Sequence, residues 1–142
     1  MKFSELVTSS GHDPEHIEKF TIAEGDDRID RIKKDPLILM FCENVTEAEA
    51  LIACGEDGMA VQYVPYAACT DAVKTVALQN NPSAFQFMQG SSDEVIDLAL
   101  SLDGENLMYL DTDKKTKQRC IDAVGKHSSA IKYCNPAVFD EE

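Results

Sequence analysis

An all-α fold is predicted by three observations: an internal repeat of about 22–24 residues, a hydroxyl residue fixed within each repeat, and apolar residues at helical spacing behind it. The repeat is clearest in five eight-residue segments at 35–42, 57–64, 81–88, 103–110 and 127–134. Each opens on Asp, Asp, Asn, Asp or His. The fifth position is apolar (Leu39, Val61, Phe85, Leu107, Ile131), and the seventh is aromatic (Phe41, Tyr63, Phe87, Tyr109, Tyr133). The eighth is apolar again (Cys42, Val64, Met88, Leu110, Cys134). From one segment to the next, a shorter step alternates with a slightly longer one.

Taken in order, the first element of each repeat is a helix A. Thr46, Thr70, Ser92 and Thr116 stand at one constant distance before Asp57, Asn81, Asp103 and His127. A hydroxyl oxygen there can accept from an orphan amide of the first turn. Thr46 and Glu49 also have the spacing of a capping box. Behind the caps, Leu51 and Cys54, Val73, Val76 and Ala77, Val95, Leu98 and Ala99, and Cys120, Ala123 and Val124 form one-sided stripes about ten residues long. The eight-residue segment then reads as the start of a second helix, B. Its Asp or Asn is a good cap, and Pro36 and Pro82 follow it at the position where a missing N–H costs nothing. Gly58 and Gly104 fill the same slot. Helices this short are marginal alone. Stacked hairpins would bury the stripes, so the expected architecture is a short solenoid of about five helix-turn-helix repeats.

The ends differ from the middle. In the first repeat Glu24 stands where Thr46 would, and Asp26, Asp27, Ile29 and Ile32 supply helix A. Before it, Asp13, Pro14 and Glu15 open a capping helix carrying His16, Ile17 and Phe20. Asn135 and Pro136 end the last helix B, and Val138 and Phe139 fold back as a cap. The expected organisation is a capping segment at 1–23, a repeat domain at 24–136 and an acidic tail at 137–142.

These units resemble a known family, the short helical repeats of the domain-of-unknown-function 4116 type, found in bacterial and phage or viral proteins. The residues that carry the resemblance are Asp71-Ala-Val-Lys-Thr-Val-Ala-Leu-Gln-Asn80 and Asp57-Gly-Met-Ala-Val-Gln-Tyr-Val64. It covers about residues 24–136, implies a helical-repeat fold, and brings no catalytic residues with it. An adaptor or inhibitor of a host protein complex is the role it implies.

Composition narrows the classes. The 142 residues hold 13 Lys+Arg against 26 Asp+Glu, a formal net charge of −13, which repels nucleic acid. No apolar run approaches the roughly 20 residues of a membrane span. The N-terminal residues lack the apolar core of a signal peptide, so a cytoplasmic protein with reduced thiols is expected. Of the five cysteines, Cys42, Cys54 and Cys134 fall in core columns, and Cys69 and Cys120 have no close-spaced ligand partner. His12 and His16 flank the expected cap Asp13, and His127 reads as a variant cap. No nucleophile–His pairing, phosphate loop or metal-ligand motif is present, so neither enzymatic activity, cofactor nor metal is expected.

Two surfaces remain as candidates for binding a protein partner. The sixth position of helix B, Met40, Gln62, Gln86, Met108 and Lys132, should face outward as a ladder. Acids gather at the helix A starts, with Glu47, Asp71, Asp93, Glu94 and Asp97 forming an acidic ridge that no adjacent base neutralises. Residues 46–112 hold 11 acids and one base, Lys74. Caps and the helix dipole account for many of these acids. The expected function is a non-catalytic protein-binding module; the alternative is an acidic mimic of nucleic acid that blocks a DNA- or RNA-binding protein.

Overall fold

A computed structural model describes residues 26–139, and every regular element among them is helical. The α-helices are α1 (Asp26–Lys34), α2 (Glu47–Glu56), α3 (Asp71–Asn80), α4 (Asp93–Leu102) and α5 (Lys117–Lys126). A six-residue 3-10 helix follows each: η1 (Pro36–Phe41), η2 (Gly58–Tyr63), η3 (Pro82–Phe87), η4 (Gly104–Tyr109) and η5 (Ser128–Tyr133). The fold is all-α. The expected N-terminal capping helix, with His12 and His16, lies outside the described residues.

The caps act as their spacing predicts. Thr46 Oγ1 accepts from the Glu49 N–H at 3.2 Å while the Thr46 N–H donates to Glu49 Oε1 at 3.0 Å, closing the capping box. Thr70, Ser92 and Thr116 accept from the amides of Val73, Val95 and Arg119 at 3.3–3.4 Å. Ten helical residues follow each cap. The seventh is alanine every time, and Ala53, Ala77, Ala99 and Ala123 are all fully buried.

The second element corrects the sequence reading: it is a 3-10 helix, not an α-helix. The physical reason lies in its period. With 3.0 residues per turn, segment positions two, five and eight stand in one line. That line reads Gly58, Val61 and Val64, or Gly104, Leu107 and Leu110, and its fifth-position members Leu39, Val61, Phe85 and Leu107 are buried. An α-helical turn would rotate the eighth residue away from the second. Position four is buried as well: Ile38, Ala60, Ala84, Asn106 and Ala130. Asn106 is polar there, and its Nδ2 donates to the carbonyls of Pro82 at 2.9 Å and Ala99 at 3.1 Å.

The chain divides into two compact units after Asn81. In the first, α1 packs on α2 and α2 on α3, η1 runs beside η2, and η2 touches both α2 and α3. In the second, α4 packs on α5, η3, η4 and η5 lie side by side, and η4 touches both α4 and α5. Within the units, η1, η2 and η4 therefore each lean on their own helix and on the next. Leu78 and Leu107 are completely buried, and burying a side chain of that size stabilises by about 1.5–3 kcal/mol.

Linkers alternate between short and long, and they give the alternating repeat spacing a cause. Four residues join η1 to Thr46 and η3 to Ser92, and each short linker turns on a left-handed residue, Asn44 (φ 51°) or Gly90 (φ 70°). The two longer linkers each contain an extra 3-10 turn, Tyr66–Ala68 or Thr112–Lys114. The added residues thus sit beyond the 3-10 helix, within the linker.

Candidate functional site

Side chains that hold the hairpins together must be separated from those left for other work. Gly58 and Gly104 belong to the first group. A Cβ on Gly58 would lie 2.4 Å from the Ala77 carbonyl oxygen, and one on Gly104 would lie 2.3 Å from that of Ala123. Glycine is required because the next helix's backbone comes this close. Each glycine amide then needs an acceptor. The Gly58 N–H donates to Asn80 Oδ1 at 2.7 Å, and Asn80 Nδ2 donates to the Gly55 carbonyl at 3.0 Å. The Gly104 N–H donates to His127 Nδ1 at 3.0 Å. His127 is therefore not the expected cap: its side chain makes no cap bond to its own segment and serves the preceding hairpin instead. Asp57 and Asp103 do cap, accepting from Met59 and Glu105 amides at 3.0 Å.

A buried ion pair also belongs to the packing group. The Arg28 guanidinium, on α1, meets the Glu49 carboxylate at 2.7 and 2.9 Å, and both residues are buried. Burial pushes the Glu49 pKa up, but the Thr46 amide and Arg28 outweigh it and leave the carboxyl below its ordinary value. In the sequence Glu49 stands out as a capping residue only. Arg28 gives no signal there, because a base on a partial first helix reads as a solvated one.

The acidic residues singled out from the sequence, Glu47, Asp71, Asp93, Glu94 and Asp97, are all exposed at or near their helix starts. One expectation about them fails. Arg119 of α5 neutralises part of the cluster, reaching Asp93 at 2.8 Å and Asp97 at 3.1 Å, and its third contact is the Lys114 carbonyl at 3.1 Å. Arg119 holds the exposed Asp93 carboxyl below its usual range, by hydrogen bond first and by charge second. Burial works to lower the Arg119 pKa, and the two carboxylates more than offset that. A base one hairpin further along the chain is not adjacent in any linear sense, which is why charge counting missed it. Asp93, Asp97 and Arg119, with Leu100, Ile121 and Lys126, line a surface groove of about 1010 Å³ between α4 and α5.

The ladder behaves differently at its members. Gln62, Met108 and Lys132 are exposed, while Met40 and Gln86 are half-buried. The 3-10 geometry sets the sixth position over the third, so Gln62 Nε2 donates to the Met59 carbonyl at 3.0 Å and Gln86 Nε2 to that of Ser83 at 3.1 Å. Lys132 Nζ lies 5.2 Å from the Tyr133 ring centroid.

Four of the thiols are held protonated. Burial pushes Cys54 up to about 12 and raises Cys42 and Cys69, and Cys134 is pushed up to about 11 by burial and then by its hydrogen bond with Cys120. Thiols in that state are poor nucleophiles and poor ligands. Among the described residues no group of three or more His, Cys, Asp or Glu is placed to hold a metal, and no helix is long and apolar enough to cross a membrane. Compared with known proteins, the chain matches no family model, no curated protein and no solved structure.

Proposed function

We propose that the chain is a short helical solenoid of about five hairpins that works as a non-catalytic protein-binding module. The observation that carries this reading is the sixth segment position. Its side chains keep contact with solvent in every hairpin, on 3-10 segments that lie side by side within each unit. Caps, glycines, alanines and the Asn80 and His127 acceptors are committed to packing. Gln62 bonds within its own segment and Met108 is 46% exposed, and a repeated outward position on a regular backbone suits recognition. An adaptor or inhibitor acting on a host complex, of bacterial or phage origin and cytoplasmic, fits the repeat resemblance. The nucleic-acid mimic is the second reading. It draws on the exposure of Glu47, Asp71, Asp93, Glu94 and Asp97, and it ranks lower because Arg119 occupies Asp93 and Asp97.

Affinity capture from an extract of the organism that encodes the chain, quantified by mass spectrometry, tests both. The module reading expects a partner enriched by the native chain and lost with the paired Gln62→Arg and Met108→Arg variant. Equal enrichment by that variant rejects the ladder. A partner lost instead with Asp93→Lys and Glu94→Lys, and weakened steeply by salt, promotes the mimic.

A further inference from the structure

We propose that His127 makes the joint between η4 and α5 sensitive to pH: a proton taken up by its ring moves Nδ1 from the Gly104 amide to the Asp103 carboxylate, one residue back along the same segment.

The partner fixes the state of the ring. The Gly104 N–H donates to Nδ1 at 3.0 Å. A backbone amide only donates, so Nδ1 holds a lone pair and the neutral ring carries its single proton on Nε2. Protonation puts a hydrogen on both nitrogens, and Nδ1 then has nothing to offer the amide. It gains another partner instead. Asp103 Oδ1 lies 3.5 Å from Nδ1 and is the one carboxylate within ion-pair reach of it among the described residues. That separation is longer than a hydrogen bond and suits a carboxylate facing a lone pair; with a hydrogen between them the two atoms attract. Histidine is the side chain that ordinarily changes charge between about pH 5 and pH 8. The His127 side chain is 43% exposed, so water reaches it directly.

The amide that is left behind has no second acceptor close by. Gly104 is buried, and its nearest backbone neighbour, the Ala123 carbonyl oxygen, already accepts from the His127 N–H at 2.8 Å. Stripping a buried N–H of its acceptor is costly, so η4 and α5 loosen at this point while Asp103 keeps the ring tethered. The positive charge itself is well placed, because His127 caps the C-terminus of α5, the negative end of the helix dipole.

The other charges on the surrounding elements are engaged elsewhere. Glu105 of η4 accepts from Ser129 Oγ of η5, Asp122 of α5 accepts from Gln118 Nε2, and Asp93 and Asp97 of α4 pair with Arg119. Lys132 of η5 lies over the Tyr133 ring, and Lys126 precedes His127 on α5. Neither lysine can stand in as an acceptor. The first unit supplies the contrast, since the Gly58 N–H donates to Asn80 Oδ1, an amide oxygen that does not titrate. Only the second unit carries the switch.

The test is nuclear magnetic resonance on the full, 15N-labelled chain, taken from about pH 8 to about pH 5. At the upper end a scalar coupling through the N–H···N bond should join the Gly104 amide nitrogen to Nδ1. It should vanish, and the Gly104 amide proton should move upfield, with the same midpoint as the His127 ring. The Gly58 amide should hold still. A coupling that survives ring protonation, a Gly104 amide that does not follow the ring, or a parallel shift at Gly58 overturns the proposal. Asp103→Asn then tests the second partner, because it keeps an acceptor for the Glu105 amide and removes the charge. Its midpoint should fall, with proton binding at least about threefold weaker. An unchanged or higher midpoint also overturns the proposal, since Asp103 is then not the partner of the charged ring. The native series needs no variant, so a misfolded Asp103→Asn chain would not shield the proposal from refutation.

Discussion

Residues 57–81 and 103–127, two hairpins apart along the chain, fold alike and hold together by different chemistry. Both run from a glycine-opened 3-10 helix through a long linker, with its own 3-10 turn, into a ten-residue helix. In the first, Asn80 accepts the glycine amide and the linker is anchored by Ala68, a buried side chain. In the second, His127 accepts that amide and the linker is tied by Arg119 to the Lys114 carbonyl. The backbone requirement is the same: an acceptor for one N–H and an anchor for one turn. The difference teaches that the fold specifies a bonding role at each place, and different residue types can fill it. The two units also differ in where they put their ion pairs. Arg28 and Glu49 are sealed in the first, whereas in the second the exposed Asp93 and Asp97 close over a mostly covered Arg119.

The largest expected effect breaks that last contrast. Glu49→Ala leaves the Arg28 charge buried without its carboxylate and should cost about 3 kcal/mol, read by urea unfolding. Because the folded Glu49 pKa lies below its unfolded value, the pair's contribution is complete above the ordinary carboxylate range of about 4.3 and is lost as pH falls through the folded value. Glu49→Gln should flatten that acid limb in a pH series of melting temperatures. An unchanged limb would remove the pair as its cause.

Next come the glycines. Gly58→Ala and Gly104→Ala each force a methyl against a backbone carbonyl and should cost about 1–3 kcal/mol or more. The two should cost about the same if the close approach is the shared requirement; a harmless Gly104→Ala would make the two regions unlike after all. Asn80→Ala and His127→Ala come third, each stranding a glycine N–H at about 1–3 kcal/mol. Asn80→Ala should be the worse, since its amide also holds the Gly55 carbonyl. Arg119→Ala is expected to be smallest, within about 1 kcal/mol, because its partners are solvent-exposed. A larger loss would mean that its bond to Lys114 anchors the linker as firmly as Ala68 does.

Much of the fold is legible in the sequence because it depends on local order. The caps at Thr46, Thr70, Ser92 and Thr116, the ten-residue helices and the outward sixth position all come from spacing along one element. The 3-10 character of the second element is legible in principle: an apolar line at positions two, five and eight has a period of three. The proline and Asp caps mask it, because they signal either helix type. Nothing set by close approach between hairpins can be read this way. Glycine at 58 and 104 looks like a start signal until the next helix is seen against it. His127 looks like a cap until its ring is seen turned toward Gly104. Arg28 and Arg119 each find carboxylates a full hairpin away, at places no linear charge count connects.

In the first four segments proline and glycine alternate behind the opening residue, and the alternation sets what each segment asks of the next helix. Pro36 and Pro82 have no N–H to satisfy, so their hairpins ask no acceptor of the next helix. Gly58 and Gly104 do ask, and the helices after them end in Asn80 or at His127. The helices that end at Asp57 and Asp103 turn those carboxylates forward onto their own segments. Removing a single hairpin would set a glycine opener before the wrong kind of helix, whereas removing a pair keeps each opener with its acceptor. Within the first four segments, openers of one kind thus recur two hairpins apart, at the interval that separates Gly58 from Gly104.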